Sequence, residues 1–294
     1  MHRTQFAGAL MAWSAALAWP ASSALAQAPR LTARQVIERI QKQVGVPWQT
    51  RTVDTFKAGD PDTPVTGIAT TMIASVDVLE RAAASGKNLI ITHEPTFYNH
   101  LDQTAELEQS HDAVLAAKKA LIEKHKLVVW RFHDHWHMRR PDGINQGMMR
   151  ALGWEKMENP AGSNRFTIPE TDLETLAAGL RTRLGARTLR VIGNPRMKLT
   201  RVALEPGAPG SAPQMAALAR EDVDVVLIGE TREWETVEYA RDAVAEGRRK
   251  ALVILGHVPS EQAGMEECAR WLKTFISEVP VEYIPAPEPF WAPR

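Results

Sequence analysis

Three short segments carry the residues whose types and spacing could do chemistry. In RFHDHWHMRRPDG (131–143), His133, His135 and His137 stand at alternate positions, with Asp134 and Trp136 between them. In LGHVPSE, His257 and Glu261 are four residues apart, the spacing that brings two side chains to one face of a helix. In LIITHEP, His93 and Glu94 are adjacent. Pro95 holds Glu94 extended, so the two side chains are expected to diverge, which suits two nearby cations better than one. Imidazoles combined with carboxylates form a donor set for divalent transition metals. A metal held this way can acidify a water and polarise a carbonyl or phosphoryl oxygen, which is hydrolytic chemistry. On an extended segment His133, His135 and His137 share one face, so each is a candidate to ligate or to orient a ligand, and Asp134 is placed to fix a histidine tautomer. Trp136 is read as a packing residue.

Each segment alone is a weak signal, because one histidine at a strand end is usually structural. Their common position is stronger: all three follow an apolar run read as a buried strand, and ligands in open α/β sheets bind beyond the carboxyl ends of strands. The alternation of such runs with helical patterns sets the fold class. LTARQVIERIQKQVG reads as an amphipathic helix, with Thr32 as N-cap and Gln35 completing a capping box. Strands are expected at VTGIATTMIAS, KNLIITHEP and LVVWRFH, with helices at DVLERAAASG, HDAVLAAKKALIEKH and GINQGMMRALG. In the second half LRVIGN, LTRVALEPG, VDVVLIGE, KALVILGH and VEYIPAP read as strands. APQMAALAR, ETVEYARDAVAEG and EQAGMEECARWLKTFIS read as helices. The expected architecture is α/β, with two facing lobes whose sheets are covered by helices and a site in the cleft between them. The expected units are residues 27–154, a small connecting subdomain over 155–188, and a second lobe over 189–294 that packs with the first as one metal-binding unit.

The 294 residues include 35 Lys+Arg and 35 Asp+Glu, and this balance argues against nucleic acid as a partner. Residues 1–26 read as a cleavable signal peptide: a short basic start, an apolar stretch and an Ala24-Leu25-Ala26 cleavage signal. The expected mature chain is exported, periplasmic or secreted, with no membrane attachment after cleavage. The single cysteine, Cys268, lies in a helical pattern and is read as a buried thiol, so no intrachain disulfide can form. There is no P-loop and no dinucleotide fingerprint.

Taken in order, the segments resemble the Nif-three-like family, also called dinuclear-metal-centre hexameric proteins and often labelled GTP cyclohydrolase I type 2. That family carries T-H-H-P/G after a strand, then H-T-x-L-D, then G-E, then G-H-x-x-T/S-E. Here LIITHEP matches the first with Glu94 in place of the second histidine. FHDHWH matches the second with His133 at the histidine and His137 at the aspartate. VDVVLIGE supplies Gly229 and Glu230, and LGHVPSE supplies His257 and Glu261. The resemblance covers most of the chain from about Gln35. It implies His93, Glu94, His137, His257 and Glu261 as metal ligands, with His133 beside them, and one or two divalent ions, Zn, Fe or Mn. It also implies a homo-oligomer, hexameric in that family. The exchange of a histidine and a carboxylate between positions 94 and 137 leaves three histidines and two carboxylates, so the site is expected to be retained. The expected function is metal-dependent hydrolysis of an unidentified small molecule, with Glu230 as general base, as a carboxylate behind a ligand, or as a structural helix cap. The alternative is a non-enzymatic metal-binding or scaffold protein.

Overall fold

The computed structural model describes residues 31–293 and Met1; the leader expected over residues 1–26 otherwise lies outside this range. The first half builds α1 (Ala33–Gln43), β1 (Phe56–Ala58), β2 (Ile68–Thr71), α2 (Val76–Ala84), β3 (Leu89–Thr92), α3 (Ala105–Gln109), α4 (Ala113–Lys124), β4 (Val128–Arg131), α5 (Asp134–Met138) and α6 (Gly143–Leu152). The second half builds β5 (Arg165–Asp172), α7 (Leu173–Leu184), β6 (Arg190–Ile192), β7 (Lys198–Glu205), α8 (Ser211–Ala219), β8 (Val225–Ile228), a π-helical turn Glu233–Val237, α9 (Glu238–Ala245), β9 (Ala251–Ile254), α10 (His257–Leu272) and β10 (Val281–Tyr283). Helix α1 starts as its sequence predicts. The Thr32 hydroxyl accepts from the Gln35 N–H, and the Gln35 side chain accepts from the Thr32 N–H.

The strands form two five-stranded sheets, in the orders β1-β4-β3-β2-β10 and β5-β7-β8-β9-β6. The central strands of each run parallel, and the edge strands β1, β5 and β6 are antiparallel. Every residue of β2, β3, β4, β8 and β9 is buried. This is why these strands read as continuous apolar runs without alternation: helices cover both faces of a parallel sheet.

Helices α6 and α10 form the seam between the sheets. On α10, Met265, Cys268 and Leu272 enter the core of the first sheet, while Ala263 enters that of the second. Cys268 is the buried thiol that the sequence predicts. On α6, Ile144 serves the first core, and Met148 and Leu152 the second. The two backbones approach so closely that a Cβ at Gly147 would lie 2.3 Å from the Ala263 carbonyl oxygen, and one at Gly264 would lie 2.5 Å from Ile144 Cα.

Three expectations about organisation are corrected. Residues 155–188 are not a connecting subdomain. β5 pairs antiparallel with β7, and α7 packs Leu173, Leu176 and Leu180 into the second core. Pro169 obscured this strand, because a proline removes a ladder donor, and the register indeed shifts between Thr167 and Thr171. The last strand does not belong with the second lobe either. β10 pairs parallel with β2 in the first sheet, because α10 crosses the seam and releases the chain beside that edge. Residues 134–138 are helical rather than extended, with consequences described below.

Gly264→Val should destabilise the protein by about 2–3 kcal/mol through overpacking of the seam. Gly179→Ala, in the interior of α7 with nothing within 4 Å of the new methyl, should stabilise it by about 0.5–1 kcal/mol. Urea unfolding of the two variants measures both signs.

Candidate metal centre

The carboxyl ends of both sheets face one cleft of about 740 Å³. His93 and Glu94 follow β3, and His133 follows β4 with His137 one turn further on. Glu230 follows β8, and His257 opens α10 after β9. Gly256, at φ +90°, makes the turn from β9 into α10. His257 and Glu261 then lie one helical turn apart, with Nε2 and Oε2 separated by 3.2 Å. A second glycine makes room for Glu261: at Gly207, φ +64°, a Cβ would lie 2.1 Å from Glu261 Oε1. The Gly207 N–H donates to Ser260 Oγ at 3.0 Å, and Ser260 Oγ donates to the His257 carbonyl at 2.7 Å, which ties the β7 turn to the start of α10.

The structure sorts the three alternating histidines by a rule different from the expected one. Because α5 begins directly after His133, the four-residue step from His133 to His137 is a helical turn, and the His137 N–H donates to the His133 carbonyl at 3.0 Å. These two rings therefore face the same side, with centroids 5.0 Å apart, and both meet His93. His135 points the other way and is fully buried. Its Nδ1 donates to Asp54 Oδ2 at 2.7 Å, its Nε2 accepts from the Gln49 N–H at 2.9 Å, and its ring stacks on Trp48 at 3.6 Å. With both nitrogens committed, His135 cannot ligate. Trp136 is buried as read, its Nε1 donating to the Gly264 carbonyl.

Each of the three facing histidines is anchored through Nδ1: His93 to the Phe132 carbonyl at 3.1 Å, His133 to Asp134 Oδ1 at 2.9 Å, and His137 to Asp142 Oδ2 at 2.9 Å. Such anchoring fixes the tautomer and turns the Nε2 lone pair inward. His93, His133 and His137 bring nitrogens within 4.8 Å of one another, and so do donor atoms of His93, Glu94 and Glu261. His93 and Glu94 therefore converge on one cluster rather than diverging as their adjacency suggests. Glu94 Oε1 lies 3.6 Å from His133 Nε2 and 3.4 Å from His257 Nε2. Glu261 Oε2 lies 3.6 Å from His93 Nε2. His93 Nε2, His257 Nε2 and Glu261 Oε2 are buried without a hydrogen-bond partner; the 3.2 Å pair is close but misaligned for a hydrogen bond. Buried polar atoms left unsatisfied are costly, and these are all metal donors pointing at one another. The donor set fits divalent cations.

The electrostatics agree. Burial, reinforced by His133 and His137, holds His93 well below its ordinary value, so its Nε2 lone pair is free. Burial alone would raise Glu94, but the close imidazoles of His257, His93 and His133 outweigh it and hold the carboxyl far below the usual range. Burial alone would lower His257, but Glu230, Glu261 and Glu94 outweigh it and push it up to about 12. Glu230 Oε1 stands 3.4 Å from His257 Nδ1, and that contact holds the Glu230 carboxyl below its ordinary value. Tyr98 and His100, in the loop after β3, also line the cleft.

Four supporting residues escape a sequence reading. Asp54 accepts from the backbone N–H groups of His133, Asp134 and His135 and so caps α5 from 80 residues away, with no local signal. Arg131 reads as a strand residue yet is fully buried beside Glu94. Asp142 and Gly207 leave traces in PDG and EPG, where a helix cap and a turn can be read.

His133→Ala and His137→Ala should each lower the bound metal per chain. His135→Ala should leave it unchanged while costing roughly 2–3 kcal/mol of stability, because Asp54 loses a charge-assisted partner. Elemental analysis alongside urea denaturation separates the two effects.

Comparisons with known proteins identify the fold and the family. The family model described as Duf34/NIF3 (NGG1p interacting factor 3) matches residues 33–289. A Clostridium perfringens (strain 13 / Type A) protein named GTP cyclohydrolase 1 type 2 homolog is 23% identical over 218 residues, covering 69% of this chain and 76% of the relative. A Bacillus cereus protein related to NIF3 superposes with TM-score 0.71 at 13% identity, covering 90% of this chain and 100% of that one. Staphylococcus aureus hypothetical protein SA1388 does so with TM-score 0.69 at 16% identity, covering 90% and 99%. The structural likenesses establish a shared fold, and the family match spans nearly all the described residues: the chain belongs to the Duf34/NIF3 family.

Proposed function

We propose that this protein is a hydrolase with a pair of divalent cations at the floor of the cleft, acting on a small molecule. The observation that carries the reading is the convergence of His93 Nε2, His257 Nε2 and Glu261 Oε2 as buried, unpartnered donors. His93, His133 and His137 would hold one cation; Glu94, Glu261 and His257 would hold the other. Glu94 Oε1 lies 3.6 Å and 3.4 Å from the Nε2 atoms of His133 and His257, and Glu261 Oε2 lies 3.6 Å and 3.2 Å from those of His93 and His257, so either carboxylate would be within reach of both cations. Zn, Fe and Mn all suit such mixed donors. A bound pair supplies Lewis acidity, which acidifies water and polarises the bond to be broken. Glu230 orients His257 through Nδ1, and Nδ1 anchors keep the other three imidazoles aligned during turnover.

The cleft walls favour a substrate that is not a polyphosphate. Ile73, Val76, Pro206 and Pro209 make them largely apolar. Among the described lining residues, Lys118 is the only lysine or arginine; it is buried, and its Nζ donates to the Thr96 carbonyl at 2.6 Å. A triphosphate such as that in the relative's name would find little positive charge here beyond the metals. An ester, amide or cyclic carbonyl compound fits better. Export and homo-oligomerisation belong to the same proposal, and light scattering of the mature protein reports the second.

Purified protein should contain up to two transition-metal ions per chain, and a His257→Ala, Glu261→Ala double variant should contain fewer. The metal-loaded form should cleave members of a panel of 4-nitrophenyl esters, anilides and phosphomonoesters. Inertness on every member, with full metal content, would favour a binding or scaffold role.

Metal uptake should also depend on pH. In the metal-free protein, the His257 proton stabilises the fold fully below about pH 6.5, and that contribution fades as pH rises toward about 12. A cation must displace this proton, so apparent affinity should rise by about tenfold per pH unit between pH 6 and 9. Chelator competition at several pH values measures the slope, and a flat profile would contradict it.

A further inference from the structure

The residue beside Glu94 decides how that carboxylate can be used. Arg131 ends β4 and is fully buried. Its guanidinium makes three hydrogen bonds in three directions: Nε to the His93 carbonyl at 2.9 Å, Nη1 to the His100 carbonyl at 2.5 Å, and Nη2 to Glu94 Oε2 at 3.2 Å. The fork is rigid and planar, so fixing two of its nitrogens on backbone oxygens fixes the third. Behind it lies Asp102, whose Oδ2 is 3.9 Å from Arg131 Nη1 and 3.3 Å from Lys57 Nζ. Asp102 Oδ1 in turn accepts from the Thr96 and Phe97 N–H groups. Glu94, Arg131, Asp102 and Lys57 thus form a row of alternating charge, largely out of solvent, that holds the loop after β3.

We propose that Arg131 is a positioning residue: it occupies Glu94 Oε2 and leaves Oε1 as the single oxygen available to bridge the two cations. A free carboxylate can bridge through one oxygen or through both, and can swing about its last bond. Here Oε2 is committed to the guanidinium, while Oε1 faces His133 Nε2 at 3.6 Å and His257 Nε2 at 3.4 Å. Arg131 also shares the negative charge of Glu94, so less of it neutralises the cations. The same guanidinium holds the His93 carbonyl, so one side chain sets two consecutive ligands. The inference rests on the dinuclear reading above and adds to it the device that makes Glu94 a suitable bridge.

The test uses the full mature chain loaded with Mn(II). Wild type should bind two ions per chain and give the electron paramagnetic resonance spectrum of a spin-coupled pair, since a one-oxygen bridge couples the two spins. Arg131→Met frees Oε2, so Glu94 can bridge through both oxygens; this variant should still bind two ions per chain, with spin coupling weaker than in wild type. Arg131→Lys keeps the charge but cannot reach all three acceptors, so it should recover part of the wild-type coupling. Removing a buried cation threatens folding, so an Arg131→Met, Asp102→Asn variant removes one charge of each sign. The amide oxygen introduced by Asp102→Asn can still accept from the Thr96 and Phe97 N–H groups, and circular dichroism reports the fold of the double variant. Two ions coupled as strongly as in wild type in that folded double variant would overturn the role of Arg131 while leaving the metal centre intact. Wild type that takes up no Mn, Zn or Fe would overturn the metal centre itself.

Discussion

The two sheets can share a site only because α6 and α10 approach to backbone contact. Gly147 lies against Ala263, and Gly264 against Ile144, so no side chain can stand between the helices. Everything at the cleft inherits its position from that contact. His257 and Glu261 ride on α10, and the α5 turn with His133 and His137 leads directly into α6. A shift of either helix by the width of a methyl group would move ligands of one lobe against those of the other, and metal ligation tolerates only a few tenths of an ångström. The core is therefore part of the site, and the glycines act on chemistry that they never touch.

A second constraint is that an imidazole has two nitrogens and a ligand needs one of them free and aimed. His93, His133 and His137 solve this alike, each donating Nδ1 to an oxygen behind it. His135 has the same residue type and almost the same address, yet Asp54 and Gln49 take both its nitrogens. Residue type nominates a ligand, and what holds the other side of the ring elects it.

Much of this was legible in the sequence, and the limits have physical causes. Buried parallel strands announce themselves as apolar runs, and the candidate ligands follow three of those runs, so the site's place in the fold could be read directly. Period was the weak point. HDHWH is too short to display its own periodicity, and an extended reading groups positions 133, 135 and 137 where a helical one groups 133 and 137. The helix exists because a remote carboxylate, Asp54, caps it. Lobe membership failed for a similar reason. β5 is interrupted by Pro169, and β10 leaves the neighbouring segment of chain to join a strand formed far earlier. Pairing between distant segments leaves no local pattern.

That last strand also orders events during synthesis. The first sheet, which carries His93, Glu94, His133 and His137, lacks its β2 edge partner until residues 281–283 have left the ribosome. Contacts this far apart in sequence form late, after the loop between them has closed. The nascent chain therefore emerges with an incomplete sheet and separated donors. The donor groups can converge only once the finished polypeptide has closed on itself.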